Sequence, residues 1–168
     1  MSIRSLLAVA AAASSLALPT AVSAQSETEP EHVFPVQAPH TTRGAIGEFG
    51  APRSGGRVHE GFDIVAKCGA KLVAVHDGTI LRRGFDPVLY GNYLLIKGAA
   101  ENQNYFYSHL VRPAEVKIGQ QVTAGQFVGN EGKTGNAEST GCHLHFEIRR
   151  GGRSIDPEPL LRKWDRVS

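Results

Sequence analysis

The chain has 168 residues, of which 41% are hydrophobic and 20% are charged, and its formal net charge is +2. This composition is typical of one globular domain with a single core, and it excludes a disordered or collagen-like chain. The small net charge does not indicate a partner such as a nucleic acid. Nineteen glycines predict many tight turns and therefore favour an all-β fold.

The first 24 residues have the features of a secretory signal peptide. Arg4 supplies a positive charge, residues 6–18 form an apolar run, and residues 22–24 (VSA) form a small-residue cleavage pattern. The alternative, a membrane anchor, is disfavoured because the run is shorter than the roughly 20 residues that span a bilayer. We therefore predict export to the periplasm or the medium, without stable insertion into a membrane.

The rest of the chain is predicted to contain one domain. Residues 25–40 are acidic and contain proline, which predicts a flexible leader, and residues 161–168 are predicted to be a C-terminal tail. Between them, residues 41–160 alternate short apolar runs with glycine-rich turns. Seven strands are predicted, at residues 58–65, 71–75, 78–82, 93–97, 105–110, 127–129 and 143–149. Many short strands predict a β-sandwich or a barrel-like domain.

The first predicted strand carries a candidate metal site. Alternate residues of a strand point the same way, so His59, Gly61 and Asp63 share one face, while Val58 and Phe62 are predicted to face the core. Gly61 leaves space between an imidazole and a carboxylate, where a small ion would fit. The alternative is that His59 is a solvated side chain and Asp63 a turn residue.

The strand at residues 105–110 is less specific. Alternation places Tyr105, Tyr107 and His109 on one face and turns Phe106 and Leu110 toward the core. Tyr105 and Tyr107 are predicted to form a flat wall against the substrate. A single histidine on a strand is usually structural, so this strand alone does not assign a function to His109.

The last predicted strand carries two histidines. His143 and His145 share a face, whereas Leu144 points to the core. Paired imidazoles suit a metal site or an acid–base pair, although two surface histidines would give the same pattern. One nitrogen from this strand, together with His59 and Asp63, would make three ligands. A fourth position would remain for water, as in catalytic rather than structural zinc sites.

The chain contains two cysteines, Cys68 and Cys142. In an exported protein a disulfide between them is the simplest interpretation, because the compartment is oxidising. The alternative is two buried free thiols. Cys142 shares the core-facing alternation of Leu144, so it is predicted not to bind the metal.

Together these segments resemble the lysostaphin/LytM-type zinc peptidases. The resemblance extends from about Gly47 to Pro157, and it is carried by HEGFD at residues 59–63, YSHL at 107–110 and the long run from GQFVGN to HLHFEIRRGG at 125–152. It implies a small antiparallel β-sandwich, or barrel-sandwich hybrid, built around a groove that holds the metal.

The resemblance also implies the site and its chemistry. One zinc ion would be bound by His59, Asp63 and His145, with His109 and His143 as catalytic groups beside it. The implied activity is cleavage of peptide stems or cross-links in peptidoglycan, and we expect a monomer. One alternative is a non-catalytic module of the same fold that binds peptidoglycan or activates a hydrolase. The other is a sugar-transport phosphocarrier, which the signal peptide disfavours.

Overall fold

The computed structural model describes residues 32–166, so the signal peptide predicted at residues 1–24 lies outside the described part. Within residues 32–166 the chain forms ten β-strands and one α-helix. The strands are β1 (His40–Thr42), β2 (Phe62–Ala66), β3 (Lys71–Val73), β4 (Gly78–Asp86), β5 (Gly91–Gly98), β6 (Asn104–Leu110), β7 (Gln121–Val122), β8 (Phe127–Asn130), β9 (Leu144–Arg150) and β10 (Arg153–Ile155). The helix is α1 (Glu158–Trp164), and no helix in this range is long and apolar enough to cross a membrane.

The described strands form one large antiparallel sheet and one small one. The large sheet has the order β1-β2-β9-β6-β5-β4-β7, with β10 paired to β9, and the small sheet consists of β3 and β8. The predicted all-β class is confirmed, and each of the seven predicted strands overlaps an observed one. Strands β1, β7 and β10, of two or three residues each, were not predicted. Since β9 lies between β2 and β6, the three histidine-bearing segments are neighbours.

The hydrophobic core joins the two sheets. Leu72 and Val128 come from the small sheet, and Ile80, Leu94 and Phe146 come from the large one, and all five side chains are buried in one cluster. Burial of apolar side chains of this size is the main stabilising contribution to such a fold, at about 1.5–3 kcal/mol for each fully buried one.

The predicted domain boundaries are wrong at both ends. Residues 32–40 are not a flexible leader, because Phe34 and Val36 are buried in the core and the backbone N–H of Val33 donates to the carbonyl oxygen of Val75. Residues 161–164 are not part of a tail, because Leu161 and Trp164 of α1 also belong to the core. Both ends of the described chain are packed parts of the domain.

The predicted disulfide is present in the structure. Cys68 lies in the turn after β2, Cys142 comes two residues before β9, and the two are bonded across 74 positions of sequence. Closing a loop of this length stabilises the folded chain by about 4 kcal/mol when the effect is treated as lost entropy of the unfolded state. The bond also ties the start of β9 to the end of β2, the two strands that carry the candidate site.

A buried carboxyl group lies close to this bond. Glu131 follows β8 and is 1% exposed, and its Oε1 accepts a hydrogen bond from the backbone N–H of Ala66 at 2.8 Å. Its Oε2 has no hydrogen-bond partner among the described residues. Burial raises the pKa of Glu131 from 4.5 to about 7, against the opposing effect of the Ala66 hydrogen bond. The folded chain therefore holds a proton here that the unfolded chain releases at lower pH.

Replacing Glu131 with glutamine should stabilise the protein at alkaline pH. The unfolded carboxyl ionises near pH 4.5 and the folded one near pH 7, so the wild type loses stability as the pH rises through this window. Glu131→Gln keeps the acceptor for Ala66 and stays neutral, and at pH 8 it should be more stable by up to roughly 3 kcal/mol.

Thermal unfolding followed by circular dichroism from pH 4 to 9 measures the effect. The two melting curves should coincide near pH 4.5 and separate above it. Glu115→Gln, which changes an exposed carboxyl, should follow the wild type throughout. A constant difference between Glu131→Gln and the wild type at every pH would contradict the assignment.

Candidate metal centre

Three potential ligand atoms meet where β2 lies beside β9. Asp63 and His145 are direct cross-strand partners, and His59 lies three residues before β2. The Oδ1 atom of Asp63 is 3.0 Å from Nε2 of His59 and 3.1 Å from Nδ1 of His145, and the two nitrogens are 2.7 Å apart. All three residues are at most 7% exposed. The structure thus brings together the three side chains that were predicted to bind metal.

The hydrogen bonds around the two imidazoles turn their lone pairs toward Asp63. Nδ1 of His59 donates to the carbonyl oxygen of Glu48 at 2.9 Å, and Nε2 of His145 donates to Oε1 of Glu147 at 3.0 Å. Two lone pairs 2.7 Å apart repel each other unless a proton or a cation lies between them. Two such nitrogens and one carboxylate oxygen form the donor set of three-ligand zinc sites, and the outer hydrogen bonds are typical of metal-bound imidazoles. The residues therefore fit a zinc ion.

Gly61 is required by the closeness of His145. A Cβ atom at Gly61 would lie 2.5 Å from the carbonyl oxygen of Phe146 and 2.7 Å from Cε1 of His145. The space expected beside Gly61 is therefore filled by the ring of His145. The alternation predicted for this segment fails at Val58, which is 56% exposed, because β2 begins only at Phe62.

Charge interactions within the cluster oppose the effect of burial. Burial by itself raises the pKa of Asp63, but the hydrogen bonds to His145 and His59 and their charges outweigh it and hold the pKa well below its usual range. Burial lowers the pKa of His145, but Asp63 and Glu147 outweigh this and raise it to about 9. In the absence of a metal, the cluster therefore holds a proton that a cation would displace.

His109 and His143 lie beside the three ligand atoms. Their ring centroids are 4.8 Å apart, and Nε2 of His143 is 3.8 Å from Oδ2 of Asp63. Nδ1 of His109 donates to the carbonyl oxygen of Thr134 at 2.8 Å, and Nδ1 of His143 donates to that of Gly141 at 3.0 Å. Each ring consequently keeps Nε2 as a hydrogen-bond acceptor.

Both of these histidines are neutral at neutral pH. Burial, followed by the charges of His143 and His145, lowers the pKa of His109 to about 3. Burial also lowers the pKa of His143, although the nearby Asp63 opposes this effect. Neutral imidazoles are the form that accepts a proton from water or a substrate.

A β-bulge places His109 at the site. Along β5 the pairing advances two positions, from Asn92 to Leu94, while along β6 it moves three, from Leu110 to Tyr107. His109 has a φ of 62°, a left-handed conformation that is uncommon for residues other than glycine. The extra residue breaks the alternation of β6, so that Leu110 is in the core while His109 faces the site.

The prediction that Tyr105 and Tyr107 contact the substrate is wrong. Both are 0% exposed and belong to the core, where Tyr107 packs edge-on against Phe146. The hydroxyl of Tyr107 also donates to the carbonyl oxygen of Val73 at 3.1 Å. The bulge explains the error, because alternation counted back from His109 assigns the wrong face to both tyrosines.

Three residues that the sequence analysis did not identify complete the site. Glu147 orients His145 and is itself held by Nε of Arg149 at 2.7 Å. Arg43 places Nη1 3.3 Å from Oδ2 of Asp63 and donates to Nε2 of His143 at 3.4 Å. Tyr90 lines the groove, with its ring 6.4 Å from that of His145. Glu147 shares the alternation of His143 and His145, so the sequence contained a signal for it.

These side chains lie in a groove of about 660 Å³. Its floor holds the cluster of His59, Asp63 and His145 and the two further histidines, and its rim includes Arg53, Arg57, Glu60 and Thr140. The groove has the size of a small-molecule or peptide site, and the polar groups converge at one point within it. The arrangement can hold a metal ion and present two neutral bases to a bound substrate.

Comparison with known sequences assigns the chain to a family. The sequence profile of Peptidase family M23 matches residues 57–157, so the chain belongs to this family. It is 31% identical over 151 residues to the L-Ala--D-Glu endopeptidase of Bacillus subtilis, covering 81% of this chain and 44% of that protein. It is 36% identical over 123 residues to the murein hydrolase activator NlpD of Escherichia coli, covering 69% of this chain and 29% of that protein. The chain thus spans less than half the length of these relatives.

Solved structures agree with this assignment. A zinc-containing peptidase from Vibrio cholerae is similar with a TM-score of 0.62 and 32% identity, over 76% of this chain and 39% of the other. The catalytic domain of lysostaphin from Staphylococcus simulans gives a TM-score of 0.63 and 28% identity. The match covers 74% of this chain and 92% of that one. The resemblance to lysostaphin/LytM-type peptidases is confirmed, and the family indicates a metal, for which zinc fits the residues present.

Proposed function

We propose that the chain is an exported, zinc-dependent endopeptidase that hydrolyses the peptide stems or cross-links of peptidoglycan. The observation that carries this proposal is the meeting of His59, Asp63 and His145 at one point, with His109 and His143 beside them in one groove. The set contains metal ligands and neutral bases together, which a purely structural metal site does not need.

The proposed ligands are His59 Nε2, Asp63 Oδ1 and His145 Nδ1. A zinc ion held by them would supply Lewis acidity to a peptide carbonyl and to the attacking water. Glu147 and the carbonyl of Glu48 hold the two imidazoles in the required tautomers.

Proton transfer is assigned to the two neutral histidines. Nε2 of His143 accepts a proton from the attacking water, and the carboxylate of Asp63, 3.8 Å away, stabilises the protonated ring. The protonated ring then donates to the departing amine. Nε2 of His109 accepts a hydrogen bond from the water and orients it. The hydrogen bond from Nδ1 to the carbonyl oxygen of Thr134 fixes the orientation of the ring.

The rim of the groove suits a peptide that carries carboxylates. Arg43, Arg53 and Arg57 all line the groove, and guanidinium groups bind carboxylates through paired hydrogen bonds. A peptide with D-Glu, the residue in the name of the Bacillus subtilis relative, carries such a group. This favours stem peptides over an uncharged glycine bridge.

Export is supported by residues 1–24 and by the relatives. The signal peptide features predict secretion, and two relatives bear names that refer to a lipoprotein or to murein. The Cys68–Cys142 disulfide is typical of an oxidising compartment. All three observations favour a protein of the cell envelope or the medium.

A second candidate function is activation of another wall hydrolase. The 36% identity to the activator NlpD of Escherichia coli favours it. An activator needs neither metal ligands nor proton acceptors, however, whereas this chain has side chains suited to both roles. The full set of side chains at the site therefore favours hydrolysis.

Dye-labelled peptidoglycan sacculi distinguish the two functions. The purified protein alone should release soluble dye, lose this activity when a chelator strips its metal, and regain it when zinc is added. Glu115→Gln, which changes an exposed residue that does not line the groove, should match the wild type. Release only in the presence of a second hydrolase, with or without zinc, would establish the activator function instead.

A further inference from the structure

A second cluster of metal-binding side chains lies outside the groove. A ring nitrogen of His32, a ring nitrogen of His76 and a carboxylate oxygen of Glu101 all lie within 4.8 Å of one another. None of these residues lines the groove. They come from three separate segments, namely the stretch before β1, the turn between β3 and β4, and the turn between β5 and β6. Only the folded chain brings them together.

The cluster is well ordered by contacts around its carboxylate. Oε2 of Glu101 is 3.3 Å from Nε2 of His32, and Oε1 is 3.5 Å from Nδ1 of His76. The hydroxyl of Tyr105 donates to Oε1, and Nε2 of Gln103 donates to Oε2 at 3.1 Å. These contacts fix the carboxyl group of Glu101 so that it faces two imidazoles whose ring centroids are 4.6 Å apart.

His76 carries a buried nitrogen without a partner. Its Nδ1 donates to the carbonyl oxygen of Asp77 at 2.8 Å, which leaves Nε2 as an acceptor. The residue is 2% exposed, and Nε2 has no hydrogen-bond partner among the described residues. The nitrogen of His76 that faces Glu101 is Nδ1, and Nε2 is the nitrogen left to bind a metal, as in histidines whose other nitrogen is held by a backbone carbonyl. A buried unpaired nitrogen is otherwise costly.

We propose that His32, His76 and Glu101 form a second site for a divalent transition-metal ion, for which Zn²⁺ is the matching cation. Two imidazoles and one carboxylate suit Zn²⁺ better than Mg²⁺ or Ca²⁺, which prefer oxygen ligands. This site does not depend on the proposed activity, because it shares no residue with the groove.

The ion would cross-link the N-terminal stretch of the domain to the sheet, beside the C-terminal helix α1. The ring of His32 stacks on Trp164 of α1, with centroids 4.7 Å apart and planes inclined by 3°. A metal bound to His32 joins the N-terminal stretch, two turns of the sheet and the surface of α1. An ion that binds only the folded state stabilises it by mass action.

Zinc stoichiometry tests the proposal. Tag-free mature protein is stripped with a chelator, dialysed against buffered Zn²⁺ and analysed for metal. The wild type should bind two equivalents, whereas Asp63→Asn, His76→Gln and Glu101→Gln should each bind one. The double variant Asp63→Asn/Glu101→Gln should bind none. His40→Gln, which changes another N-terminal histidine outside the cluster, should keep two.

The same experiment separates this proposal from the first. If only the groove binds metal, His76→Gln and Glu101→Gln will hold as much zinc as the wild type, and the second site is refuted. If only the second site binds, Asp63→Asn will match the wild type, which refutes the catalytic centre. Glu101→Gln keeps an acceptor for Tyr105, so its loss of one equivalent is not a loss of fold.

Hydrogen exchange provides a local readout. The backbone N–H of Val33 donates to the carbonyl oxygen of Val75, directly beside His32 and His76. In Asp63→Asn, Zn²⁺ should slow exchange at Val33 several-fold, and the effect should vanish in Asp63→Asn/Glu101→Gln. If the exchange rate at Val33 in Asp63→Asn is the same with and without Zn²⁺, the proposed cross-link by the second metal ion is refuted.

Discussion

Alanine at Asp63, His59 or His145 should remove zinc and hydrolytic activity together. Each variant deletes one of three ligand atoms that lie within 3.1 Å of one another, and the remaining pair binds metal poorly. We expect activity on labelled sacculi to fall by more than about 10³-fold, because the loss affects both carbonyl polarisation and water activation.

Metal analysis and activity are measured on the same samples. The second cluster contributes its own zinc, so the comparison is made in a Glu101→Gln background, in which the groove is the remaining site. There Asp63→Ala should contain essentially no zinc. Asp63→Ala protein that keeps a full equivalent in this background, or that hydrolyses sacculi at the parent rate, would show that Asp63 is not a ligand.

Substitution of His109 or His143 should instead separate metal from activity. Neither ring is needed to hold the ion, so zinc content should stay near that of the wild type. Turnover should fall by about 10²–10⁴-fold, the usual contribution of a positioned acid or base. For His109 the suitable variant is His109→Asn, because asparagine tolerates the left-handed backbone at this position better than alanine does.

A chemical comparison at His143 strengthens the test. His143→Gln keeps a polar side chain near Arg43 but accepts no proton at neutral pH. Its pH–rate profile should lose the limb that reports the base, while KM changes little. Zinc loss in His143→Gln equal to that in Asp63→Ala would overturn the division between ligands and bases.

The three side chains predicted as ligands meet in the structure, whereas the two tyrosines predicted to contact the substrate are buried in the core. His145 lies on β9 and His143 directly precedes that strand, so alternation assigned them to the same face. His109 lies on a bulge with a φ of 62°, and alternation from it placed Tyr105 and Tyr107 on the wrong face. A bulge depends on pairing with β5, which is a tertiary property that local sequence does not reveal.

The ends of the domain were misjudged for a different reason. Residues 25–40 are acidic and contain proline, and composition favoured disorder. Two apolar residues, Phe34 and Val36, are enough to anchor the described part of this stretch in the core. Burial of two side chains at about 1.5–3 kcal/mol each offsets much of the entropy lost when a short segment is ordered.

Of the residues that were missed, only Glu147 had a sequence signal. It follows His145 by two positions and shares its face, so alternation predicts its contact with the ligand. Arg43 lies 20 residues from Asp63 and 100 from His143. Such a contact depends on the path of the chain between β1 and β2, which sequence patterns do not determine.

The identity of the new chain ends is the most direct test of the central claim. Purified sacculi are digested with the zinc-loaded protein, and the products are identified by mass spectrometry. We predict new amino and carboxyl termini within the peptide portion, abolished in Asp63→Ala and by a chelator. Glycoside hydrolysis generally needs two free carboxylates that flank the bond. In this groove Asp63 faces the imidazoles of His59 and His145, and Glu147 is bonded to His145 and Arg149. New reducing sugar ends, or no new ends at full zinc occupancy, would contradict the account.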